Sequence, residues 1–309
     1  MIIKKTGKYI KIDNENGFKT VLSQLGASIV EISLDGVVLT MTPVNNNDLN
    51  RKDIYYGKTI GPIANRIKDG KITVNEKDYS FPLNENGVCN HSGDRGLSNQ
   101  MFDVSTSNNS VTFVYKEELF DGIITYKVIY SFTSKPQVKV SYEVTTTNVA
   151  AISLTNHSFF TLGEPSIRQL SLKIQANKFI ETDKDTLLPL SIKPIIDCLD
   201  FNEEKALIKN ITNPYLANHR SKGYDHCLIL NNKKEIILKS PSYSLEIKSD
   251  FPCVQIYSDN YIDDVITKGS LCSIRRAIAI EPEDNLLEKT IIDKNEKYQR
   301  YIVYKFKKL

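Results

Sequence analysis

The chain has 309 residues, 40% of them hydrophobic and 25% charged, an ordinary globular balance with apolar content enough for a large core. Its 40 basic and 37 acidic residues leave a formal net charge of +3. The two signs are interleaved, which argues against a nucleic-acid-binding stripe and a polybasic membrane anchor. No apolar run approaches the ~18 residues of a membrane span, and five widely spaced cysteines without a C-x-x-C pair argue against a disulfide framework or a structural zinc site.

In chain order, the start (Met1 to Lys8) turns polar too soon for a secretory leader, and with the cysteine pattern it predicts a cytoplasmic protein. The alternating run Val30-Glu31-Ile32-Ser33-Leu34 meets Val37-Val38-Leu39 across Asp35-Gly36, a hairpin signal. Helical spacing is weak, and its best short candidates lie at 48–55 and 203–208. After the turn signal Lys135-Pro136, the stretch from Val138 to Thr145 places apolar residues at every second position, as a strand with one buried face requires. Leu245-Glu246-Ile247-Lys248 and the stretch from Tyr301 to Phe306 alternate likewise, and Asn231-Asn232 is a further turn signal. Neither a linker nor a repeat interrupts this pattern. One mainly antiparallel all-β domain over residues 1–309 is expected, and periodicity alone leaves sandwich, barrel and propeller open.

Candidate chemistry is sparse enough to weigh singly. The four histidines are His91, His157, His219 and His226. His91 sits in the glycine-punctuated Asn90-His91-Ser92-Gly93-Asp94-Arg95-Gly96, a loop able to approach a ligand closely. His157 follows a strand, flanked by polar Asn156 and Ser158 and then Phe159 and Phe160, a mix suited to the polar rim and apolar face of a sugar. His226 ends Gly223-Tyr224-Asp225-His226, and His219 reads as a plain loop residue. Glu281 ends the apolar run Ala277-Ile278-Ala279-Ile280 before a proline, where a carboxylate is partly desolvated and can serve as a general base. Histidine spacings for a metal, a G-x-S-x-G elbow and glycine-rich phosphate loops are all missing, so neither a cofactor nor a metal is expected. The basic pairs Arg275-Arg276 and Lys307-Lys308 read as solvated surface, and the cysteines as small buried hydrophobes.

Six segments in order resemble the aldose 1-epimerase family. Gly61-Pro62-Ile63-Ala64-Asn65-Arg66-Ile67 is similar to its G-x-x-A-N-R-I motif, and the His91 loop to L-H-G-G-x-x-G, with Asn90 and Ser92 as departures. Thr155-Asn156-His157-Ser158-Phe159-Phe160-Thr161-Leu162 resembles T-N-H-S-Y-F-N-L, the most specific of the matches, and Gly223 to His226 repeats G-Y-D-H. The stretch from Phe251 to Tyr257 looks like L-P-G-V-Q-F-Y, and Ile280-Glu281-Pro282-Glu283 like L-E-P-Q.

The resemblance implies a β-supersandwich with few short helices, and an enzyme that interconverts the α and β anomers of a free aldohexose such as galactose or glucose. Glu281 would be the general base and His157 the general acid, its imidazole kept charged by a small upward pKa shift. Arg66, His91, Asp225 and Asn65 would bind the sugar, and Tyr257 would pack on it. The implied partner is a small sugar alone, with monomer and homodimer both open. Glu283 stands where glutamine is common, and the turn after it departs from the family pattern, which touches substrate identity. Two alternatives stay open: a hexose-phosphate mutarotase, in which Arg95 or Arg275-Arg276 could meet a phosphate, and a non-catalytic sugar-binding or sensor protein.

Overall fold

Alternating patterns of this kind bury one face per strand, and each buried face needs a second layer. In the computed structural model, which describes residues 1–270, 274–288 and 290–309, the strand Gln137–Thr146 turns Val138, Val140, Tyr142 and Val144 inward. It lies near the middle of a nine-stranded sheet, between Gly122–Phe132 and the C-terminal Tyr298–Lys308. A six-stranded sheet runs in the order Phe159–Phe160, Ile278–Glu283, Cys253–Tyr257, Asp225–Leu230, Ala176–Thr182 and Pro189–Pro194. The N-terminal residues form a five-stranded meander from Ile2–Thr6 to Val37–Val38. Every strand pairing in these sheets is antiparallel. One continuous hydrophobic cluster draws on all three sheets, with the Phe160 ring tilted against that of Tyr304, their centres 5.3 Å apart, across the layers.

The predicted hairpin forms as read, with Ser33 opposite Val38 and Leu34 opposite Val37. The predicted helices do not. Residues 46–50 make only a 3-10 turn, where Asn45, Asn47 and Asp48 compete for backbone bonds that a helix would use, and the chain is extended again by Arg51. Over 203–208, Lys205–Ala206 instead pairs as an edge strand with Ser171 and Leu172, followed by a 3-10 turn at Leu207–Asn210. The α-helix found among the described residues is the single turn Pro214–Ala217, capped by Asn213. No helix of the described residues is long and apolar enough to cross a membrane.

The six-stranded sheet decides where chemistry can occur. In its three central strands Ile278 and Ile280, Val254 and Ile256, and Leu228 point into the main core. With a period of two, Glu281 and Glu283, Gln255 and Tyr257, and Asp225 and Cys227 must then point to the opposite face. That face is covered by a second, smaller cluster that includes Ile54, Tyr56, Phe159 and Ala279. Cys89, Cys198, Cys227 and Cys253 are buried free thiols, as expected; Cys272 lies outside the described residues.

Candidate active site

Where the outer face of the six-stranded sheet meets the covering loops, a cleft of about 330 Å³ opens, within the range that takes small molecules. All seven residues singled out from the sequence line it: Asn65, Arg66, His91, His157, Asp225, Tyr257 and Glu281.

His157 is held by its backbone. The short strand Thr155–Asn156 pairs with Thr59–Ile60. The His157 N–H then donates to the Lys58 carbonyl and the Gly57 N–H to the His157 carbonyl, both at 2.9 Å. Gly57 has φ +66°, and a Cβ there would lie 1.7 Å from the Ile29 carbonyl oxygen, so the clamp demands glycine. Asn156 and Ser158 do not meet a ligand as their polarity suggested. The Asn156 amide donates to the Gly57 carbonyl at 2.9 Å, and its oxygen accepts from Ser158 at 2.5 Å and from Tyr304 at 3.3 Å. They brace the clamp from inside the core.

Glu281 lies within its strand, opposite Gln255, and is only 2% exposed; it is more deeply desolvated than a strand-end acid. Its Oε1 stands 3.5 Å from His157 Nε2. Burial drives the Glu281 carboxyl pKa well above the usual range, reinforced by Glu283 and Asp225 and opposed by Arg66. Burial likewise pushes the His157 imidazole down to about 4, against the expected upward shift. Its Nδ1 has no hydrogen-bond partner, and only a smaller contribution from its own backbone opposes the effect of burial. Burial thus raises the proton affinity of the carboxyl and lowers that of the imidazole, and the two groups titrate as a pair.

The facing side of the cleft is built on two left-handed residues that lock each other. Asn65 (φ 63°) and His91 (φ 53°) exchange backbone contacts, with the His91 N–H donating to the Asn65 carbonyl at 3.0 Å. The Asn65 N–H donates to His91 Nδ1 at 3.2 Å, which leaves the hydrogen of a neutral ring on Nε2, free to donate into the cleft. Burial, with help from the His157 and Arg66 charges, holds the His91 pKa well below its usual value. Arg66 lies 3.2 Å from Glu85 and 3.6 Å from Asp225, and Asp225 accepts from the Gln255 amide at 2.5 Å. Tyr257 and Phe159 supply aromatic walls, their rings 6.4 and 4.9 Å from that of His157.

The same wall carries residues that sequence reading did not single out: Glu85, Arg220, Asp53, Asp259, Asp263, Tyr55, Tyr56 and Tyr261. Arg220 closes on Glu85 at 3.1 Å. Arg276 is not the solvated surface residue its pairing with Arg275 suggested. It is 2% exposed and donates to Asp259 (2.7 and 3.1 Å), Asp263 (2.8 Å), the Val265 carbonyl (2.9 Å) and Tyr56 (3.1 Å). His219 is buried rather than a plain loop residue, its ring 5.1 Å from His226. Among the described residues no group of three or more His, Cys, Asp or Glu side chains is placed to hold a metal ion.

Comparison with known proteins accords with this geometry. A family model described as aldose 1-epimerase matches residues 8–305. The chain is 28% identical over 229 residues to the galactose mutarotase of Rattus norvegicus, covering 70% of this chain and 66% of that protein. It is 26% identical over 297 residues to the aldose 1-epimerase of Haemophilus influenzae, covering 89% and 85%. The alignment thus spans just under two thirds of the rat relative's length. In fold it is similar to an aldose epimerase homologue from C. elegans (TM-score 0.85, 22% identity, 97% and 99% covered). It is also similar to galactose 1-epimerase from Lactobacillus acidophilus (TM-score 0.87, 20% identity, 99% and 98% covered). The architecture is that of the galactose mutarotase-like β-sandwich proteins, and with a family model spanning nearly its whole length the chain belongs to the aldose 1-epimerase family.

Proposed function

We propose that this chain, acting as one domain, is an aldose 1-epimerase that interconverts the α and β anomers of a free aldohexose. The observation that carries the reading is the Glu281–His157 pair, 3.5 Å apart in a cleft that also presents Arg66, His91 and Asp225. Mutarotation moves one proton off the anomeric hydroxyl and another onto the ring oxygen. The C1–O5 bond breaks as the aldehyde forms, C1 turns about C1–C2, and O5 closes on the other face, returning both protons. The proton resting on Glu281 need only cross to His157 for the carboxylate to accept from O1 while the imidazolium donates to O5. The bound sugar favours that transfer, since O1–H can donate to an anion and O5 can only accept. Arg66, His91 and Asp225, with Asn65 behind them, fix the remaining hydroxyls, and Tyr257 packs on the ring. Each positioned proton transfer is worth ~10²–10⁴ in rate.

A pair that works with one proton fails when it holds two or none. The rate of mutarotation is therefore expected to fall on the acid side near pH 4 as His157 gains a second proton, and to fall on the alkaline side at a pH above the ordinary carboxylate range as the raised Glu281 loses its own. Polarimetry across pH checks this. An acid limb at the ordinary imidazole value would show that His157 is not the buried partner.

Charge favours a free sugar over a sugar phosphate. The cleft wall holds the carboxyls of Asp53, Glu85, Asp225, Asp259, Asp263 and Glu281 against Arg66 and Arg220. Both guanidiniums are already engaged by Glu85, and Arg276 is consumed by Asp259 and Asp263. Arg95 makes its contacts outside the cleft, with Glu117 and the Glu118 carbonyl. A phosphate, adding about two negative charges, meets repulsion with no free cation among the described residues of the cleft wall. Freshly dissolved α-D-galactose and α-D-glucose should equilibrate faster with the protein than in buffer, and hexose 6-phosphates should gain at least about tenfold less in kcat/KM. Preference for the phosphates would transfer the chain to that branch, and binding without acceleration would make it a sugar-binding protein.

A further inference from the structure

Glu283 has no part in the proton transfers above, yet it is among the most deeply buried carboxyls of the protein, 1% exposed. It lies two residues beyond Glu281 on the same strand and so on the same face, opposite Cys253 in the neighbouring strand. Its carboxyl group meets the Cys227 thiol and the side-chain amide of Asn65, and its Oε1 has no hydrogen-bond partner.

The titratable groups around it are Cys227 and Asp225 on one strand, Cys253 on the next, and Glu281 and Asp284 on its own. None is a cation. The nearby guanidiniums are taken, Arg66 by Glu85 and Asp225 and Arg300 by Asp284 at 2.7 Å. An ionised carboxylate with an unpartnered oxygen, shielded from water and ringed by three other acids, is the costliest form such a site could hold. The neutral acid removes that cost. Burial, the leading cause, pushes the carboxyl up to about 8; contact with Cys227 opposes it, Asp284 adds to it, and smaller contributions from Asn65 and Asp225 oppose each other in sign.

Asn65 connects this group to the sugar site. Its Oδ1 accepts from the Arg66 backbone N–H at 3.1 Å and from the Arg66 guanidinium at 3.5 Å, which leaves the amide NH₂ to face Glu283. The backbone of Asn65 holds His91 from both directions. We propose that Glu283 is a positioning residue: a neutral carboxyl behind the cleft that fixes the Asn65 amide, and through it Arg66 and His91, while keeping a second negative charge away from Glu281. The proposal rests on the mutarotase reading for its kinetic consequence only; the protonation of Glu283 can be read without any activity.

The test uses Glu283→Gln, which keeps shape, neutrality and both hydrogen-bonding faces, and Glu283→Leu, which keeps bulk alone. Glu283→Gln should retain kcat and KM within about threefold, whereas Glu283→Leu should raise KM about tenfold, the effect of one lost hydrogen bond, with kcat changed much less. The second readout needs no activity. A carboxyl near 4.3 in the unfolded chain and about 8 in the folded one makes the native state bind more protons between those values. Stability then falls as pH rises through that window and levels off above it. The melting temperature of Glu283→Gln should therefore pull ahead of wild type between pH 5 and 8, the gap widening with pH. Loss of function in Glu283→Gln equal to that in Glu283→Leu, unchanged kinetics in Glu283→Leu, or parallel melting curves across pH would each overturn the proposal. A wild-type protein that leaves mutarotation at the buffer rate would instead overturn the mutarotase reading, and the melting comparison would still decide the state of Glu283.

Discussion

Glu281→Gln is expected to lower kcat for mutarotation by ~10²–10⁴ while leaving the protein at least as stable as wild type at neutral pH. Glutamine fills the same space, and its amide can still hydrogen-bond the sugar, but it can neither take the O1 proton nor store one for His157. Stability should not suffer, because burial opposes the charged carboxylate. Its folded-state pKa lies above the unfolded value, so wild type loses stability as pH rises through that interval, and the amide has no such loss. Polarimetry with thermal melts at pH 7 checks both halves. His157→Asn should also be strongly impaired, and combining the two changes should cost little more than the worse of them, as for groups that act as a unit. Activity within tenfold of wild type in Glu281→Gln would remove the carboxyl from the chemistry.

Arg276→Met is expected to cost about 3–5 kcal/mol, the penalty for breaking a buried ion pair from one side. That is a large part of the ~5–15 kcal/mol available to a folded domain. The guanidinium donates to both Asp259 and Asp263. Tyr56, which also donates to Asp263, joins the same network. Methionine leaves two carboxyls facing each other with their cation gone. Lysine should recover little, since one ammonium cannot reproduce the forked contacts. Adding Asp259→Asn and Asp263→Asn to Arg276→Met should recover much of the loss, because the uncompensated charge goes with them. Urea denaturation of the four proteins measures this. A cost below about 1 kcal/mol for Arg276→Met would mean that water reaches the two carboxyls. Because Asp259 and Asp263 line the cleft, the single variant should also raise KM.

Period two in Val138 to Thr145 and the Asp35-Gly36 turn were enough to read an antiparallel β protein, because each depends on neighbours within one strand or hairpin. The brief helical spacings at 48–55 and 203–208 misled, since segments this short take the conformation their surroundings offer. Motif order brought Glu281, His157, Arg66, His91, Asp225, Asn65 and Tyr257 to notice, and all seven line one cleft. Glu85 and Arg220 carry no local signal, being an acid in a turn and an arginine in a loop until the fold brings them within 3.1 Å.

Residue order by itself determined the strand alternation, the hairpin and the motifs whose residues line the cleft. Only the tertiary structure decided that Asn156 and Ser158 brace the core, that Arg276 is buried, and that burial raises the proton affinity of Glu281 while lowering that of His157. The reason is physical. Alternation is a property of adjacent residues, whereas burial and the proton affinity it sets depend on which distant segments close over a side chain, and here much of the cover, including Ile54, Tyr56 and Phe159, comes from more than a hundred residues away from Glu281.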